Sequence, residues 1–140
     1  MAKFIRDDLS VVYGDKRFDI PLKGEKVAIF GDSGTGKSYY WQILCKYRAI
    51  GALPDVICAN YSTYKSGLLK SLLLTEKDKV FVIDNADLLI DSVDMVLALG
   101  ETKNQLVLFG RHTDFFGIPR NCRARMINEG THFYLDYLES

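Results

Sequence analysis

The stretch GDSGTGKS, Gly31–Ser38, lies directly behind the apolar run VAIF, Val27–Phe30. It has the spacing G-x-x-x-x-G-K-[ST]. Gly31, Gly34 and Gly36 let the backbone bend so that successive N–H groups turn inward and form an anion nest. Lys37 then brings a cation and Ser38 a hydroxyl. Behind them SYYWQILCKYRAI fits a helix that ends near Gly51, a glycine suited to a helix stop. A strand, a glycine loop and a helix in that order place N–H donors and the positive helix end around one point, which is what a phosphate group requires.

The rest of the chain reads as alternating elements. Leu9–Tyr13 and Arg17–Ile20 flank the turn-forming Gly14-Asp15-Lys16 and predict a hairpin. DVICAN, 55–60, reads as a short buried strand, and SGLLKSLLL, 66–74, as a core helix. KVFVIDNAD, 79–87, reads as a strand ending in acids. DLLIDSVDMVLALG predicts a helix closed by Gly100. QLVLFG, 105–110, is a further apolar strand, and ARMINEG with HFYLDYL predicts a final strand or hairpin. Continuous apolar strands separated by helices predict a parallel sheet covered on both faces. Ligands of such sheets sit beyond the carboxyl ends of the strands, where the glycine loop, Asp84 and Gly110-Arg111 all fall. The expected architecture is a three-layer α/β/α sandwich on a mainly parallel five-stranded sheet. It forms one domain, with residues 1–24 as an N-terminal hairpin and 25–140 as the core.

The 140 residues carry 18 basic and 18 acidic side chains, so no global charge draws the chain to nucleic acid or membrane, and self-repulsion does not oppose oligomers. Three cysteines, Cys45, Cys58 and Cys122, show no metal-binding spacing and read as idle thiols of a reducing compartment. No apolar signal core opens the chain and no run is long enough to span a bilayer. The expected location is the cytoplasm, with no membrane partner.

GDSGTGKS resembles the Walker A motif of P-loop NTPases, and VFVIDNAD resembles a Walker B strand with Asp84 as its acid. The intervening DVICAN resembles the inserted strand of the branch that includes AAA, ABC and RecA-like ATPases. This resemblance covers roughly Val27 to the last strand. It implies ATP and Mg²⁺ as ligands. Gly31, Asp32, Ser33, Gly34, Thr35, Gly36, Lys37, Ser38 and Tyr39 would hold the phosphates, and Ser38 and Asp84 the metal. The opening LSVVYGDKRFDIPLKGEKVAIF resembles the β-hairpin of ABC ATPases whose aromatic residue stacks on adenine, a role that would fall to Tyr13. A cross-strand packing role for Tyr13 stands beside it. No LSGGQ-like signature and no guanine-reading NKxD motif follow.

The pattern departs from that branch at Asn85, which stands where a water-polarising glutamate is usual. A carboxamide orients water but is not a useful base. Asp87 could substitute, or could be a helix-start acid. Arg111 resembles the polar sensor that faces a γ-phosphate, and also reads as a surface arginine; His112 could assist it. Arg111, Arg120, Arg123 and Arg125 could act in trans on a neighbouring subunit, meet nucleic-acid phosphates, or form a solvated face. Phe115 and Phe116 suit a core or a partner surface. Three readings of function follow: an ATPase with slow or partner-stimulated hydrolysis acting as an oligomer or with a protein partner; a nucleotide-bound module without turnover; or a small-molecule kinase.

Overall fold

The computed structural model describes residues 2–32, 34–89, 92–111 and 117–139. Ser33, His112, Phe115 and Phe116 lie outside these residues. The chain order is β1 (Val11–Tyr13), β2 (Lys16–Asp19), β3 (Lys26–Phe30), α1 (Lys37–Ala49), β4 (Val56–Ala59), α2 (Tyr61–Lys65), α3 (Leu68–Thr75) and β5 (Lys77–Ile83). A 3₁₀ turn (Ala86–Leu89), α4 (Val93–Glu101), β6 (Lys103–Gly110), a second 3₁₀ turn (Arg120–Cys122), β7 (Arg123–Asn128) and β8 (His132–Tyr137) complete it. The strand before the glycine loop and the helix after it fall where the sequence predicts them. The helix expected over 87–100 is instead a 3₁₀ turn followed by the shorter α4, which starts from the side-chain cap of Ser92. The short α2, which begins in a capping box between Asn60 and Thr63, has no counterpart in the sequence reading.

The sheet corrects the expected architecture. Among the described residues it has eight strands in the order β1-β2-β8-β7-β3-β6-β5-β4. It is mixed: β7, β3, β6, β5 and β4 run parallel to one another, β2 pairs β8 in parallel, and the β1/β2 and β7/β8 pairs are antiparallel. It curls as a half-barrel with four α-helices against it, not as a three-layer sandwich on a five-stranded parallel sheet. The N-terminal hairpin is therefore no appendage. Its second strand docks on β8 through the register Arg17↔His132, Phe18↔Phe133 and Asp19↔Tyr134.

Side-chain patterning explains the shape. β3, β5 and β6 are nearly continuous runs of buried residues, as strands covered on both faces must be. On one face lie Tyr40, Ile43 and Leu44 of α1; on the other lie Leu69 and Leu73 of α3 and Met95, Ala98 and Leu99 of α4. By contrast β7 and β8 alternate, with Ala124, Met126, Phe133 and Leu135 buried on the α1 side and Arg125 and Asp136 exposed. That half of the sheet has one apolar face, and it closes around α1. The rings of Phe18 and Phe133 stack at 4.5 Å, and Tyr40, fully buried, donates its hydroxyl to the Leu9 carbonyl at 2.5 Å.

Buried amides secure the amino end of β6. Gln105 accepts from the backbone N–H groups of Ile5 and Arg6 at 3.0 and 2.6 Å and donates to the carbonyls of Arg6 and Gly24. Asn104 donates to Glu76 O and accepts from Lys79 N. These bonds satisfy polar groups that would otherwise be costly to bury. Among the described residues no helix is long and apolar enough to cross a membrane.

Candidate functional site

Three strand ends meet at one cleft. β3 delivers the glycine loop, β5 delivers Asp84 and Asn85, and β6 delivers Gly110 and Arg111. The cleft has a volume of about 370 Å³ and is lined by Gly34, Gly36, Lys37, Ser38, Tyr39, Asp84, Asn85, Gly110 and Arg111.

The loop needs its glycines. Gly34 and Gly36 have φ of 88° and 96°, in the left-handed region that favours glycine. At Gly36 a Cβ would also stand 2.6 Å from the Phe133 ring, so the loop is packed against β8. Gly36 is the N-cap of α1. No side chain caps this end and no acid stands in the first turn, whereas Asn60 and Ser92 cap α2 and α4. The first-turn N–H groups of α1 have no acceptor within the helix, and they open toward the cleft that Lys37, Ser38 and Tyr39 line.

Lys37 folds across the loop. Its ammonium donates to Gly31 O at 2.5 Å, Asp32 O at 3.0 Å and Thr35 Oγ1 at 3.2 Å. The Thr35 hydroxyl in turn donates to Asp32 O at 2.9 Å. Burial pushes the Lys37 pKa below its ordinary value, opposed by the carboxylates of Asp32 and Asp84. The cation is thus held by two loop carbonyls and the Thr35 hydroxyl.

Ser38 and Asp84 meet across the cleft. The Ser38 hydroxyl donates to Asp84 Oδ2 at 3.1 Å, with Oδ1 at 3.5 Å. Asp84 follows β5 directly, and its N–H donates to Ala59 O of β4 at 2.9 Å. Its carboxylate also accepts from Asn85 N at 3.1 Å, and Asn85 sits at φ 52°, which asparagine tolerates better than most residues. The carboxylate is therefore aimed by its own backbone before any ligand is considered.

Asp87 stands differently. Its Oδ2 accepts from Arg111 N at 3.4 Å, and its carboxyl group lies so close over Gly110 that a Cβ there would be 3.3 Å away. It ties the 3₁₀ turn to the end of β6 and does not line the cleft. Arg111 does line it. The other arginines are not among the residues that line the cleft: Arg120 donates to Glu139 O, Arg123 to Ile118 O, and the Arg125 guanidinium lies 5.4 Å from the centre of the Phe30 ring.

Tyr13 is also placed apart. Lys46 donates to its hydroxyl at 3.0 Å and lies 5.0 Å over its ring, and Tyr47 meets it edge-on. These partners are on the last turns of α1, about 13 Å along the helix from Lys37. Tyr13 packs the hairpin onto the helix and is not brought to the loop. Tyr39 is at the cleft, 36% exposed, with its ring 6.0 Å from Phe18 and 6.4 Å from Phe133.

Two supports of the loop escaped the sequence reading. Asn128, the last residue of β7, donates its amide to Gly34 O at 3.1 Å. Phe133 of β8 holds the loop at Gly36. Asn128 precedes Glu129-Gly130 and reads as a turn residue, so nothing local marks either one as a loop contact. Trp41, on the first turns of α1, donates its indole N–H to Val82 O at 2.9 Å and pins the helix start to β5. No protein-family model matches the chain, and no curated protein matches it in sequence.

Proposed function

We propose that the chain is a P-loop nucleotide-binding protein that takes ATP with Mg²⁺ in the cleft at the glycine loop and hydrolyses it slowly. The observation that carries this reading is the meeting of Ser38 and Asp84 at 3.1 Å in the cleft that Lys37 also lines, at an uncapped helix start. The residues fit the ligand. Magnesium commonly takes one or two protein oxygens and fills its octahedron from phosphate and water; a hydroxyl and a carboxylate from different elements supply that pair. The N–H groups of the loop and of the first turn of α1 would hold the phosphates, with Lys37 neutralising their charge. Arg111 lines the same cleft and would balance charge that develops on the terminal phosphoryl group. Bound ATP supplies that phosphoryl group, and water accepts it.

Hydrolysis is slow in this reading because no carboxylate follows Asp84. Asn85 orients water without taking its proton, and the carboxylate of Asp87 is engaged at Gly110 and Arg111. The same observation favours a second reading, a module that binds nucleotide and signals by its bound state. Single-turnover hydrolysis by wild type and Asn85→Glu separates the two. Measurable turnover in wild type that rises in Asn85→Glu supports the slow enzyme. No turnover in wild type with a gain in the variant supports the module. ATP binding that is unchanged in both Lys37→Ala and Asp84→Asn removes both readings. A cytoplasmic location suits the proposal, since ATP and Mg²⁺ are supplied there and Cys45, Cys58 and Cys122 are free thiols.

A further inference from the structure

The residues that line the cleft divide by chemistry. At one end stand Asp84 and Asn85, after β5, and Gly110 and Arg111, at the end of β6. At the other end stands Tyr39 of α1. Its ring neighbours, Phe18 and Phe133, belong to β2 and β8, on the opposite side of β3 in the sheet from β6 and β5. The two ends therefore flank the glycine loop that β3 delivers. Among the described lining residues, Tyr39 alone offers an aromatic ring; the others are glycines or carry charged or hydrogen-bonding side chains.

The packing of Tyr39 fixes its ring at the cleft. The ring centre lies 6.0 Å from that of Phe18 and 6.4 Å from that of Phe133, tilted by 53° to each, so neither ring lies flat on it. Those two rings are buried and stack on each other. Phe133 also supports Gly36, so the loop and the Tyr39 ring rest on one platform.

We propose that Tyr39 is the nucleobase seat of the site: the base of a bound nucleoside triphosphate stacks on its ring, and the triphosphate runs along the loop toward Asp84 and Arg111. This inference rests on the nucleotide reading above and assigns the two ends of the ligand to the two ends of the cleft. The terminal phosphates belong with Lys37, Arg111 and the metal-binding pair of Ser38 and Asp84. The base is the flat, weakly polar part of the ligand, and the Tyr39 ring is the surface that matches it. Stacking tolerates any base, because every base has a π-face. Telling one base from another takes hydrogen bonds from groups built to read its edge. The Asn128 amide, beside the loop, is already engaged: it donates to Gly34 O and accepts from Gly130 N. The site therefore takes ATP and GTP alike, and purines ahead of the smaller pyrimidines.

Equilibrium titration of ATP, GTP, CTP and inorganic tripolyphosphate, each with Mg²⁺, into wild type, Tyr39→Phe and Tyr39→Leu tests it. Tripolyphosphate carries the phosphates without a base, and the backbone N–H groups that would hold it remain in both variants. Wild type is expected to bind ATP and GTP within about threefold of each other and CTP more weakly. Tyr39→Phe is expected to keep these affinities. Tyr39→Leu retains apolar bulk without the ring and is expected to lose about tenfold for ATP and GTP, the order of one base stacked on one aromatic side chain, with tripolyphosphate unchanged. ATP affinity that survives Tyr39→Leu overturns the proposal. So does an equal loss for tripolyphosphate, or a preference for ATP over GTP beyond tenfold. Wild type that binds none of the four ligands overturns the nucleotide reading itself, and this inference with it.

Discussion

The two halves of the sheet are built on different rules. In the half formed by β3, β6, β5 and β4, every strand is parallel to its neighbours and helices lie on both faces. Its stability comes from continuous apolar strands. In the half formed by β1, β2, β8 and β7, antiparallel and parallel pairs mix and the strands bury one face around α1. The first half supplies the chemical groups of the site: the loop, Asp84 and Arg111. The second supplies the mould that holds the loop, through Phe133 at Gly36 and Asn128 at Gly34. The glycine loop thus draws its shape from strands that contribute no residue to the lining of the cleft.

Phe133→Ala against Phe81→Ala tests this division with the largest effect. Both rings are buried, one in each half, and each truncation is expected to cost about 3–5 kcal/mol in urea unfolding. Under conditions where both variants remain folded, only Phe133→Ala is expected to weaken ATP binding, by tenfold or more. An equal loss of affinity in Phe81→Ala would erase the distinction.

A gentler pair sharpens the same point. Asn128→Ala removes one hydrogen bond to the loop and is expected to weaken ATP binding about fivefold, the equivalent of about 1 kcal/mol. Asn60→Ala removes the cap of α2 and is expected to cost about 1 kcal/mol of stability with no change in affinity. Isothermal titration beside urea unfolding reads both quantities on each variant.

Acid stability gives the smallest contrast. Asp55, at the amino end of β4, accepts a bidentate pair of bonds from Arg6 at 2.6 and 3.1 Å, and this contact holds its pKa below the ordinary carboxylate value. The hydrogen bond from His132, then that from Arg17, does the same for Asp19 on β2. A depressed folded pKa contributes stability that is present above the unfolded value and is lost as pH falls through the folded one, so both contributions fade below about pH 4. The Arg6–Asp55 pair is more sheltered than the His132–Asp19 pair, whose side chains are 42% and 36% exposed. Asp55→Asn is therefore expected to flatten the acid limb of a stability–pH curve more than Asp19→Asn, which should change it by a few tenths of a kcal/mol. A larger effect from Asp19→Asn would place the electrostatic weight in the wrong half.

The same division separates what could be read from sequence from what could not. VAIF, VFVI and QLVLF are local apolar runs, so these parallel strands were legible, and local motifs named Lys37, Ser38 and Asp84 as candidates that the structure brings to one cleft. The docking of β2 on β8 joins residues such as Asp19 and His132, 113 positions apart, and no periodicity reports a pairing at that distance. The alternation in RARMIN and HFYLDY was visible and marks strands with one covered face, yet it does not say what they close around. That is why the hairpin was expected as an extension and the sheet as five-stranded, and why two roles stood open for Tyr13, which packs against Lys46 and Tyr47 of α1. Asn128 and Phe133 were illegible for the same reason, because their role exists only once β7 and β8 lie along the glycine loop.

The central claim is that the Gly31–Ser38 loop, with Asp84, binds ATP and Mg²⁺ together. Equilibrium titration of ATP into wild type, with and without Mg²⁺, beside Lys37→Ala and Asp84→Asn, tests it most directly. The account predicts saturable binding that tightens with Mg²⁺, weakens at least tenfold in Lys37→Ala, and loses its Mg²⁺ dependence in Asp84→Asn. No saturable binding by wild type, or binding that neither substitution alters, would contradict it.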